Sequence, residues 1–159
     1  MEGSNGPSMP KFDMSKMSMG EKLTLGGAAL FFLSAFIFKW YTVGSGLIQI
    51  SVHGRTGINW VPILLALAAV VEIVARTAMG KSFLPNPKQT HLAIATVSFV
   101  IMVIRIFWKP SSGFAGVDVS LAFGFFISLI LSGVWAYGAL TMSGKKLGDM
   151  KMPMGGGDS

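Results

Sequence analysis

The sequence predicts an all-α, polytopic membrane protein: an up-down bundle of four transmembrane helices, with a short β-strand or hairpin in its first outer loop. Three observations predict it. The 159 residues are 52% hydrophobic and 13% charged, with mean hydropathy +0.61, whereas a soluble domain averages about a quarter charged residues. The charge that is present lies mostly in the tails and loops. Four apolar runs are each long enough, at ~1.5 Å per residue, to cross a ~30 Å hydrocarbon core. At this length one bundle and no second domain are expected.

Residues 1–21 are rich in Gly, Ser, Pro and Met with no sustained apolar face, and read as a flexible cytoplasmic tail. The first span, 22–41, opens like a signal peptide, but its apolar core ends in Phe38, Lys39, Trp40 and Tyr41. No small-residue cleavage site follows, so the helix is expected to stay uncleaved. In 42–57, Ile48, Ile50 and Val52 alternate with Gln49, Ser51 and His53 between glycines; that period of two predicts the strand or hairpin. Asn59 can cap the second span, 59–79, with Pro62 tolerated in its first turn. GKSFLPNPKQ is a polar turn before the third span, 90–108, and KPSSGFAG is a tight loop before the fourth, 118–140. Residues 142–159 form a second flexible cytoplasmic tail.

Orientation follows from Lys and Arg. Lys11, Lys16, Lys22, Arg76, Lys81, Lys88, Lys145, Lys146 and Lys151 fall on one side, against Lys39, Arg55, Arg105 and Lys109 on the other. The positive-inside rule then places both termini in the cytoplasm of a multi-pass plasma-membrane protein. Trp40, Trp60 and Trp108 fall at the outer boundary, and Trp135 and Tyr137 near the inner one, as an aromatic belt would.

Membrane helices associate by close packing and polar contacts. On the fourth span Ser120, Gly124, Ser128, Ser132 and Ala136 recur every four residues as a helix-packing ridge. On the third, His91, Ala95, Ser98, Met102 and Arg105 share one stripe; on the second, Ala68, Glu72, Ala75 and Arg76 share a face. Helical rise puts Glu72, Ser98 and Ser132 at similar depth, predicting a buried polar layer with Arg76 below it. A carboxylate in hydrocarbon costs at least ~2.5 kcal/mol, so Glu72 must be paired or used. Two readings stay open: an i,i+4 pair with Arg76, or a proton, ion or ligand site.

The remaining chemistry is sparse. There is no cysteine, which excludes disulfides, thiolate metal sites and cysteine nucleophiles. His53 and His91 fall on opposite sides and share no metal; His91, at a helix start, reads as a capping or interface residue. Methionines crowd the tails, Met17, Met19, Met150, Met152 and Met154 among them. Thioethers favour Cu(I), but no Cys or His stands beside them, so no metal and no cofactor are expected. No acid–base pair, nucleophile elbow or phosphate loop marks an enzyme.

GEKLTLGG at the first span, Trp40-Tyr41 after it, and DVSLAFG from Asp118 to Gly124 resemble a group of small four-helix membrane proteins of unassigned function from actinobacteria and related bacteria. The resemblance covers roughly 20–141; Lys39 stands where that group carries Pro. It implies the four-helix topology and carries no site residues. The expected function is a non-enzymatic accessory, assembly or scaffold component of the envelope. The alternative is a small oligomeric transporter or ion- or proton-conducting subunit with Glu72 in the path, assembled through the fourth span. Expected partners are the bilayer, with anionic lipid at the cytoplasmic face, and a membrane protein or second copy of the chain, not nucleic acid.

Overall fold

Capping decides where the first helix begins. In the computed structural model, which describes residues 12–45, 47–111 and 117–144, the Ser18 hydroxyl accepts from Glu21 N while the Glu21 carboxylate accepts from Ser18 N. This capping box satisfies two orphan donors at once. Helix α1 therefore runs Met19–Ile37, ahead of the expected start at Lys22. A short 3-10 turn, Met14–Lys16, precedes it. Residues 1–11 and 145–159, with Met150, Met152 and Met154, lie outside the described residues, as do 46 and 112–116. Met17 is buried and Met19 exposed.

The first span is shorter than predicted. After Ile37 the chain turns extended at Phe38 and enters strand β1, Lys39–Ser45. Trp40, Tyr41, Thr42 and Val43 are all strand-favouring types, and Trp40 and Tyr41 are buried rather than facing outward. β2, Ile48–His53, is the strand that the alternation predicted, antiparallel to β1 with Val43 opposite Ile50. The 3-10 turn Gly57–Asn59 leads into α2, Trp60–Met79, which Gly80 closes in the left-handed conformation. Helix α3, Pro87–Phe107, starts on a proline whose missing N–H costs nothing there.

The fourth span also needs correction. Asp118 begins strand β3, Asp118–Leu121, which pairs antiparallel with the free side of β1 and gives the order β2-β1-β3. Val119 and Leu121 turn inward while Asp118 and Ser120 are exposed. The Trp40 carbonyl accepts from Ala122 N at 2.8 Å, and α4 follows as Phe123–Met142. The molecule is thus mostly helical, with four helices long and apolar enough to cross a membrane. A three-stranded sheet sits at one end, larger than the hairpin expected.

Helix α1 makes its widest contact with α4; α2 packs on α1 and α3, and α3 on α4. The α1–α4 approach is set by glycines. A Cβ at Gly27 would stand 2.7 Å from Trp135 N, and one at Gly138 would stand 2.5 Å from Thr24 N. Both are closer than side chains allow, so these backbones meet only because the positions are Gly. Phe31, Trp40, Phe125 and Trp135 fill the space beneath the sheet with ring centroids about 6 Å apart. Trp40 and Trp135 are therefore core residues, not members of an aromatic belt; Trp60 and Trp108 are exposed. Outward faces are apolar too: Leu64, Leu67, Val71 and Val74 on α2, and Phe126, Ile130 and Val134 on α4.

Candidate functional site

The ion-paired groups of the helices gather at the end opposite the sheet. Glu72 faces inward from α2 and is 4% exposed. The α2 face that carries it holds Ile63, Ala66, Ala69 and Ile73, rotated from the one predicted, and Ala68 is exposed. Opposite stands His91, fully buried one turn into α3, with Nε2 2.6 Å from Glu72 Oε2. His91 is not a capping residue. Burial against a carboxylate is the contact that holds it, and its Nδ1 has no hydrogen-bond partner among the described residues.

The second carboxylate oxygen is met from outside. The Ser82 hydroxyl, on the exposed turn between α2 and α3, donates to Glu72 Oε1 at 2.7 Å. Arg76 contributes less than the i,i+4 reading required: its Nε is 4.0 Å from Glu72 Oε1, whereas Nη2 donates to Glu21 Oε1 at 2.8 Å. Glu21 thereby does two jobs, accepting from Ser18 through Oε2 and from Arg76 through Oε1. Arg76 Nη2 also lies 3.9 Å from Met142 Sδ on α4. The result is a chain, Glu21–Arg76–Glu72–His91, running from α1 through α2 to α3.

Ser98 and Ser132 are buried but stand outside this chain. Their hydroxyls donate to Ile94 O at 2.8 Å and Leu129 O at 2.7 Å, the self-satisfaction open to any helix serine. Of the expected layer Glu72, Ser98 and Ser132 are all buried, but the two serines take no part in the ionic chain, which joins Glu72 and Arg76 to His91, Ser82 and Glu21. The ridge is corrected as well. Ser120 lies in β3, and Ala136 turns toward α3, lining a groove with Leu92, Thr96 and Phe99. Steps of four residues drift by ~40° each on a 3.6-residue helix, so a four-residue stripe cannot stay on one face. Gly124, Ser128 and Ser132 do stay buried, with Ser128 Oγ 2.7 Å from Ser34 Oγ of α1.

A smaller polar cluster occupies the sheet end. Asn59 stands at the N-cap position of α2 but its side chain makes no capping bond; it donates to Tyr41 Oη at 2.9 Å and accepts from Arg105 Nε at 3.0 Å. Arg105 Nη1 donates to Trp108 O at 3.2 Å. Burial raises the Tyr41 phenol above its ordinary pKa, partly opposed by the Asn59 bond and the Arg105 charge.

The Ser18-x-x-Glu21 spacing was a visible signal for Glu21. The stripe His91, Ala95, Ser98, Met102 is the buried face of α3, so it pointed His91 inward; its Glu72 contact was missed and its capping reading was wrong. Comparison with protein-family models, with curated proteins and with solved structures finds no match.

Proposed function

We propose that the chain is a multi-pass membrane protein of the plasma membrane, a four-helix up-down bundle with its sheet outside and both termini in the cytoplasm. It acts without catalysing a reaction, as an accessory or scaffold component that docks a membrane-protein partner or a second copy of itself. The outward apolar faces support the bilayer setting, because a water-soluble helix turns its polar face out. The resemblance of its apolar segments to small four-helix membrane proteins supports the same topology. Lysines at the tail end suit anionic lipid on the cytoplasmic face.

The observation that carries the docking reading is β2. Among the described residues it pairs with β1 alone, so its other edge offers unpaired backbone groups there. Natural edges are blunted by charge, proline or cover. Ile48–Val52 (IQISV) has neither charge nor proline, and Leu47, Ile48 and Ile50 are exposed. Such an edge suits strand addition by a partner, with alternate side chains giving specificity. The largely buried ionic chain supports the same view from inside: its charges are engaged in tying helices together.

Native mass spectrometry of the protein drawn from its own membrane in mild detergent tests this. Wild type is expected to carry a stoichiometric partner or a second copy, and Ile50→Lys to lose it with the fold intact. Retention by Ile50→Lys rejects the edge as the docking site. One observation favours a proton-conducting subunit instead: exposed Ser82 links the surface to Glu72, and Glu72 to a ring nitrogen whose mate is unpaired. A proton flux in vesicles that Glu72→Gln abolishes would establish that second reading.

A further inference from the structure

Arg105 is a charged side chain without a counter-charge among the described residues. The ion pairs among the described residues are all at the opposite end of the helices. Nε and Nη1 of Arg105 are held by Asn59 and the Trp108 carbonyl, and Nη2 has no hydrogen-bond partner among the described residues. A snorkelling arginine would swing freely into water; this one is fixed by two bonds and presents one donor edge. Lys109, four residues on, adds a second positive charge nearby.

The guanidinium also borders an open-sided apolar groove of about 280 Å³ between the 3-10 turn before α2 and the end of α3, lined by Ile58, Ile101, Ile104, Arg105 and Trp108. A second hollow, sharing Ile104 and Trp108, continues it past Phe107. The groove falls at or below the small end of ligand pockets, ~300–1,000 Å³, so it suits a length of hydrocarbon chain rather than a whole enclosed ligand. In the bilayer setting proposed above, on which this inference rests, it opens sideways at the depth where chain meets headgroup.

We infer that this groove binds one phospholipid of the sheet-side leaflet, its phosphodiester on Arg105 and one acyl chain along Ile58, Ile101 and Ile104. A phosphate oxygen satisfies the donor edge and the charge together. Trp108, exposed at the groove mouth, suits the headgroup boundary as interfacial tryptophans do.

The test is lipid titration of the full-length protein in mild detergent by native mass spectrometry, with phosphatidylglycerol, diacylglycerol of the same chains, and inorganic phosphate as competitor. The expected result is one phosphatidylglycerol per chain, retained about tenfold less well by Arg105→Gln, the size of one charged hydrogen bond. Ile104→Trp, which fills the groove and keeps the arginine, should lose the lipid as well; it decides the matter if Arg105→Gln fails to fold. Equal binding of diacylglycerol, displacement by inorganic phosphate, a second protein copy in place of lipid, or undiminished retention by Ile104→Trp would each overturn the inference. Flotation of the protein with vesicles separates the two levels: a protein that floats but retains no phosphatidylglycerol rejects only the lipid site, and one that does not float rejects the membrane reading.

Discussion

His91 and Glu72 hold each other in a place where neither could stand alone. Removing one partner of a buried pair typically costs about 3–5 kcal/mol, because the survivor is left uncompensated, whereas replacing both by apolar groups is often nearly neutral. Glu72→Leu and His91→Leu singly are therefore expected to destabilise by roughly that amount, and the double variant by about 1 kcal/mol or less. Arg76 stays paired to Glu21 throughout. Unfolding in detergent measures all three; a double variant as unstable as the sum of the singles would show that the pair is not the unit. Glu72 itself was legible as an isolated carboxylate in an apolar run. Its partner was not, because His91 lies 19 residues away and no local pattern says which helices face each other at what height. Arg76, one turn along the same helix, was the nearer candidate in sequence and the lesser one in space.

At the scale of elements, two adjacent glycines on α1 make a controlled comparison. Gly27 faces Trp135 at backbone contact, while a Cβ at Gly26 would meet nothing within 4 Å. Gly26→Ala should stabilise by about 0.5–1 kcal/mol through helix propensity alone. Gly27→Ala should cost about 1–3 kcal/mol, since the opposing atoms belong to a backbone that cannot step aside. Thermal melts of the two variants side by side check the sign of each. The same packing explains what the sequence showed of the elements. Helix existence and number followed from hydropathy and length, and β2 from its period of two. The early end of α1 and the start of α4 did not, because Lys39–Ser45 becomes a strand by pairing with β2 and β3, and Asp118–Leu121 by pairing with β1. That pairing is a tertiary event: the strand-favouring types from Trp40 to Val43 allow a strand but do not name its partner, and Asp118 carries no local mark of it.

For the whole molecule the arrangement of ends is the claim most open to a direct check. The chain has no cysteine, so single-cysteine variants report sidedness without background. Ser51→Cys in β2 and Lys81→Cys in the turn after α2, both exposed, are expected to react with an impermeant thiol reagent from opposite faces: the first in intact cells, the second only after lysis. Labelling of both from one face would reject the up-down arrangement.

The central strand β1 has a consequence for how the protein is made. Its neighbour β2 follows within a few residues, but its other neighbour, β3, does not: Ser120 reaches back to the Thr42 carbonyl across 78 residues. At ribosomal speeds of ~5–20 residues per second, roughly 4–16 s pass between the emergence of the two. During that interval one side of β1 is an open template beside an uncovered Trp40. The sheet over the first helix is closed by the strand that leads into the last one, so an early part of the chain waits for a late one before its pairing is complete.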